Sequence, residues 1–211
     1  WVTSWPQDYS DMAQDVGLTA GLEYDASKAI TPDQFQTMLN NCTALAGKPF
    51  IGITWKSNSQ DYTAFKMVIK EAGGIPVELP QITSTVVAYD ADGKIQSAYI
   101  EDSGMLSQTY ADQIKAKDFS KSNVAEVMEN VDGVFFTGGE DISPSLFAKP
   151  QAEANHGEEI NATRDISDYT LMSYCIANDV PTFAACRGMQ MMSIVSGADF
   201  IQDIPDYYAS L

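Results

Sequence analysis

No apolar run in this 211-residue chain approaches the roughly 20 residues that span a bilayer, so no membrane-crossing helix is expected. Positive charge is scarce: 12 Lys and Arg stand against 29 Asp and Glu, a formal charge of −17. The basic residues gather into no patch, which argues against nucleic acid and anionic membrane surfaces as partners. Histidine is nearly absent, with His156 alone. Cys42, Cys175 and Cys186 show no C-x-x-C spacing, so a zinc site of the usual His and Cys ligands is not expected. The odd cysteine count leaves room for a free reactive thiol. An initiating Met is also lacking. The chain opens on Trp1, as it would after removal of an export signal or trimming of a cytoplasmic protein.

What is present is the balance of a folded domain, 45% apolar and 19% charged, in a length that can bury a substantial core. Residues 1–30 are polar and irregular. Thr31, Pro32 and Gln34 then form a helix start: a cap, a first-turn proline and a capping-box partner. Phe35, Met38, Leu39 and Cys42 follow at helical spacing, which predicts a packed apolar face. From residue 47 short apolar runs alternate with amphipathic stretches. Strands are expected at 50–54, 75–79, 133–136 and 180–184. Helical stripes are expected at Tyr62, Phe65, Ile69 and Ala72, over 124–128, at Ile166, Tyr169, Met172 and Ile176, and over 189–195. Gly73 and Gly74 end the first of these stripes. Residues 81–121 interrupt the rhythm with a turn at DADG (90–93), as an inserted hairpin and short helix would. Strands separated by helices imply a parallel sheet covered on both faces.

The chemistry concentrates at Ala184-Ala185-Cys186-Arg187-Gly188. A nucleophile on a sharp strand-to-helix turn needs small residues two places before and two after it, and Ala184 and Gly188 meet that need. A helix beginning after Cys186 would stabilise a thiolate and offer free N–H groups to an oxyanion. A small buried core residue is an equally good reading of the local pattern. Thr137-Gly138-Gly139 follows the strand at 133–136, where the carboxyl ends of parallel strands form a ligand crevice. By itself an ordinary strand-end turn explains it as well. Ser143-Pro144 suits the start of a short helix, with Glu140 and Asp141 serving that turn or facing the crevice. His156 is the sole candidate base by residue type, in a polar loop that gives it no apolar frame. Arg164-Asp165 opens its helix with a structural ion pair, and Cys175 reads as packing.

Together these segments resemble a known family. GKPFIGITW (47–55) with YTAFKMVIKEAGGIPVELP (62–80), VDGVFFTGGEDISPSLF (131–147), RDISDYTLM (164–172) and VPTFAACRGMQMMSIVSGADFIQDIP (180–205) are similar to bacterial gamma-glutamyl-gamma-aminobutyrate hydrolases, peptidase family C26, within the class I glutamine amidotransferase-like group. The resemblance covers residues 47–205. It implies an α/β fold, a flavodoxin-like three-layer sandwich with a mostly parallel sheet. It further implies a cysteine hydrolase cleaving a gamma-glutamyl amide through a thioester on Cys186. The oxyanion would be held by backbone N–H groups of Gly139 and Arg187, with Gly138 and Gln190 as substrate-binding positions and no cofactor. Ala184 stands where Gly is common in the family, and Thr137 where Pro is common.

The family's triad histidine and glutamate lie in a His-Pro-Glu motif after the QDIP segment (202–205), and Leu211 precedes any such motif. The expected organisation is an N-terminal extension with one helix at 1–46. An amidotransferase-like domain follows at 47–211, incomplete at its C-terminus, with an insertion near 81–121. An incomplete sheet would associate with its missing C-terminal portion or with a second copy. The partner otherwise implied is a small gamma-glutamyl substrate. A noncatalytic binding homologue without the triad, and a glutaminase supplying ammonia to a synthetase partner, are the alternatives. The segment ahead of the first strand resembles the mature start of exported or surface-anchored forms of the family.

Overall fold

The computed structural model describes residues 10–11, 13–23, 25, 28–56, 59–147, 159–198 and 200–209. Thr31 accepts the Gln34 N–H through its hydroxyl (3.2 Å), and the Gln34 side chain accepts the Thr31 N–H (2.9 Å). This capping box starts α1 (Pro32–Leu45). The expected packed face of α1 is absent: none of its residues is buried, and Phe35, Leu39 and Cys42 are exposed. Helical spacing reports periodicity, and here no described segment covers the stripe.

The sheet follows the alternation that the sequence shows. Strand β1 (Phe50–Ile53) leads through α2 (Gln60–Glu71) to β2 (Ile75–Glu78). Gly73 closes α2 at φ +91°, a conformation costly for any residue with a Cβ. Tyr62 and Ile69 face inward from α2, while Ala72, at its C-cap, is exposed. Residues 81–121 form isolated antiparallel bridges, Tyr89–Ile95 and Ile100–Leu106, before α3 (Gln108–Lys115). The DADG turn is held by the Asp90 carboxylate, which accepts the N–H groups of Asp92 and Lys94, each at 2.9 Å. A short α4 (Val124–Val127) precedes β3 (Gly133–Phe136).

Helix α5 (Ala162–Ala177) then leads to β4 (Thr182–Ala184), α6 (Arg187–Val195) and α7 (Ile204–Ala209). The strand order is β2-β1-β3-β4, every pairing parallel. Right-handed crossovers place helices over both faces of such a sheet. The fold is α/β and flavodoxin-like. Strand β4 is shorter than the 180–184 expected, because Pro181 has no N–H to give and contributes only its carbonyl, to Val134 N–H. Helix α6 begins two residues earlier than the apolar pattern shows, at Arg187.

Successive β3 residues feed opposite faces of the sheet. Phe135 joins Ile53, Tyr62 and Ile69 on one side. Val134 and Phe136 join the larger cluster with Ile166, Met172 and Met191 on the other. Ile166, Tyr169 and Met172 are buried as expected, but Ile176 is exposed and Cys175 takes the inward position instead. Helix α5 departs from an amphipathic pattern: Arg164, Asp165 and Asp168 are as deeply buried as their apolar neighbours.

Candidate active site

Parallel strands end together, and the ends of β1, β3 and β4 open on one cleft of about 580 Å³. Cys186 stands in its wall beside Ala185, opposite Thr137, Gly138 and Gly139. Its backbone has φ +51° and ψ −116°, far from the conformations open to ordinary residues. The turn is pinned on both sides: Ala185 N–H donates to the Phe136 carbonyl (3.0 Å) and Gly188 N–H to the Ala185 carbonyl (2.9 Å). A Cβ at position 188 would lie 2.7 Å from Phe136 Cβ and 2.8 Å from its carbonyl oxygen. Only glycine lets α6 approach β3 this closely. A Cβ at position 138 would lie 3.5 Å from Cys186 Sγ, so the glycine segment and the thiol are immediate neighbours.

Cys186 is the N-cap of α6, and Arg187 is its first helical residue. First-turn amides have no partner within their own helix, and among the described residues the Arg187 N–H has no backbone acceptor, so it can serve a ligand. The Arg187 side chain is another matter. It is fully buried and points away from the thiol: Nη2 donates to Asp165 (2.7 Å), Nε to Asp168 (3.3 Å), and Nη1 to the carbonyls of Glu140 and Asp141, both at 2.9 Å. Burial alone would favour its neutral form, but the two aspartates hold its pKa above the usual value. Gln190 is half-buried, its N–H bound to the Cys186 carbonyl (3.1 Å), and its side chain is not among the cleft walls. His156 lies outside the described residues.

Arg164 and Asp165 both form ion pairs, with partners elsewhere in the chain. Arg164 pairs with Glu140 (2.8 Å) and Asp168 (3.1 Å), Asp165 with Arg187. Burial pushes the Glu140 carboxyl up, while hydrogen bonds from backbone, Asn161 and Arg164 outweigh that and hold it below the ordinary range. Asp165 also accepts the Ser143 N–H (3.0 Å) and hydroxyl (2.5 Å), fixing the turn after the glycines. The sequence reading missed Asp168, whose carboxylate bridges both guanidinium groups. It also missed Trp55, whose ring lies 5.6 Å from the Arg164 guanidinium carbon at the cleft. Spacing could have flagged Asp168, one helical turn from Arg164. Tyr62 presents a buried hydroxyl without a partner among the described residues, and burial raises its pKa.

Residues 110–210 match the family model described as Peptidase C26, a stretch that contains the glycine segment, the buried ion pairs and the Cys186 elbow. The chain is thus similar to the Peptidase C26 family and to glutamine amidotransferase-like proteins. Protein NtpR of Enterococcus hirae is 29% identical over 158 residues, covering 73% of this chain and 49% of that protein. A glutamine amidotransferase-like protein of Rickettsia prowazekii is 28% identical over 113 residues, covering 48% of this chain and 38% of its own. The chain therefore spans half or less of the length of these two relatives.

Proposed function

We propose that this protein is a member of the class I glutamine amidotransferase-like superfamily and a cysteine hydrolase that cleaves a gamma-glutamyl amide through a gamma-glutamyl thioester on Cys186. The observation that carries the reading is the left-handed turn at Cys186, which sets an exposed thiol against Gly138 at the carboxyl edge of the sheet. Strain of this kind persists only where surrounding structure imposes it, and it concentrates at reactive positions. In the reaction the sulfur bonds to the gamma carbonyl carbon and the carbonyl π electrons move to oxygen. The N–H groups of Gly139 and Arg187 hold that charge. Collapse of the adduct breaks the C–N bond and the amine departs with the proton that the Cys186 thiol gave up on attack; water then adds to the thioester, releasing glutamate and returning a proton to the sulfur. Gln190 is not given a substrate contact in this scheme.

Incubation with gamma-glutamyl-4-nitroanilide tests the reading. A gamma-glutamyl adduct on the Cys186 peptide, converted by hydroxylamine to the hydroxamate and absent from Cys186→Ala, is the expected result. Binding of the probe with neither adduct nor nitroaniline release would overturn it in favour of a noncatalytic binding protein.

A further inference from the structure

The buried charges behind the cleft converge on one short stretch of backbone. Arg164 Nη2 donates to the carbonyls of Thr137 (3.3 Å) and Gly138 (2.8 Å) and to the Thr137 hydroxyl (3.0 Å). Arg187 Nη1 takes the carbonyls of Glu140 and Asp141. Two guanidinium groups thus hold four carbonyls of residues 137–141, and Asp168 Oδ2 ties the groups together by accepting from both Nε atoms. Each Arg is almost or wholly excluded from solvent, at 3% and 0% side-chain exposure. Burying two cations is costly unless geometry and hydrogen bonds compensate. A well-packed apolar pair could have filled the same space, so the arrangement calls for a reason beyond stability.

Peptide planarity supplies one. In a trans peptide the C=O and the following N–H point in opposite directions, and no described peptide is cis. A Thr137 carbonyl turned to Arg164 directs the Gly138 N–H away from it, and a captured Gly138 carbonyl does the same for Gly139 N–H. The next captured plane behaves as required: with the Glu140 carbonyl on Arg187, the Asp141 N–H points outward to the Glu159 carbonyl (2.9 Å). Gly138 also neighbours Cys186, whose Sγ would lie 3.5 Å from a Cβ at position 138. We infer that Arg164 is a positioning residue of the reaction: by holding the Gly138 carbonyl from behind it aims the Gly139 N–H, the partner of Arg187 N–H, at the oxyanion formed on Cys186, and by holding the Thr137 carbonyl it keeps the preceding plane turned the same way. The inference rests on the function proposed above and adds to it which buried side chain sets the oxyanion site.

Two reactions of the same thiol separate this role from a structural one. Acylation by 4-nitrophenyl acetate forms the S–C bond, places charge on the carbonyl oxygen, then breaks the C–O bond to release 4-nitrophenolate, a leaving group that needs no proton. Alkylation by iodoacetamide displaces iodide and forms no oxyanion. Both rates are read at Cys186 by peptide mass spectrometry in the full 211-residue chain. Exposed Cys42, on α1, serves in each sample as an unassisted reference thiol. In the unsubstituted protein the acylation-to-alkylation ratio at Cys186 should exceed that at Cys42. Arg164→Lys keeps the charge beside Glu140 and Asp168 but loses the planar fork. It should lower the Cys186 ratio about 10²-fold, the scale of a displaced catalytic group, with alkylation unchanged. Glu140→Gln, at a partly exposed site that anchors Arg164 Nη1, should lower the same ratio about tenfold, and it decides the matter if Arg164→Lys does not fold. An unchanged ratio in a folded variant, or a parallel fall in both reactions, overturns the inference while leaving the proposed function standing. A Cys186 ratio equal to that of Cys42 in the unsubstituted protein overturns both.

Discussion

At the scale of single residues, the three cysteines divide by environment. Cys175 is fully buried, and burial pushes its thiol from 9.0 up to about 11, against a smaller opposing effect of a Thr182 hydrogen bond. The folded value is the higher one, so the neutral thiol favours the folded state fully below about pH 9. That contribution is lost as pH rises through about 11, and two units correspond to about 3 kcal/mol. Urea midpoints of the protein and of Cys175→Ala, followed from pH 8 to 11, should therefore converge as the pH rises; a constant offset would contradict the burial effect. Cys42 was expected on a packed stripe and is exposed, so access alone does not distinguish it from Cys186. The Arg187 guanidinium is paired with Asp165 and Asp168, so its charge is not directed at the neighbouring Cys186 thiol.

Among the elements, the junction of β4 and α6 carries the site, and its tightest point is Gly188 against Phe136. Gly188→Ala would force a methyl into backbone and Cβ contacts below 3 Å, which the strand cannot relieve by a side-chain rotation. The expected cost is about 1–3 kcal/mol, in the range of overpacked cores, together with slower alkylation of Cys186 as the elbow shifts. Thermal melting and iodoacetamide labelling of the variant check both, and a variant as stable and as reactive as its parent would refute the close-approach argument. Element positions in the sheet were legible from the sequence because buried parallel strands read as short apolar runs bounded by helix signals. Residues 50, 75 and 133 begin strands as the runs indicate. Where the reading failed, at α1 and at Ile176, a periodic stripe met no covering segment or rotated by one position.

For the molecule as a whole, the buried pairs join α5, α6 and the loop after β3 into one unit. Asp165→Asn would remove the charge facing a fully buried guanidinium at 2.7 Å. Stranding a buried charge costs about 3–5 kcal/mol, and because Arg187 keeps Asp168 and two carbonyls the expected loss lies below that range, at about 1–3 kcal/mol. Urea denaturation should show that loss, with little change in the parent's ion-pair contribution between low and high salt, since buried pairs are weakly screened. A loss below 1 kcal/mol would show that Asp168 and the two carbonyls satisfy Arg187 without Asp165.

The sequence alone determined the alternation of strands and helices, the capping of α1, the DADG turn and the small residues around Cys186. Each is a local property, set by apolar spacing, backbone freedom or a side chain reaching a neighbouring amide. Only the tertiary structure decided which backbone faces the thiol and what holds it there. Arg164 and Arg187 meet residues 137–141 across separations of about two dozen residues or more, which no local pattern encodes. On the page Arg164-Asp165 reads as an ordinary helix start. The burial that turns those charges into a scaffold arises only when α5 and α6 close over the same face of the sheet.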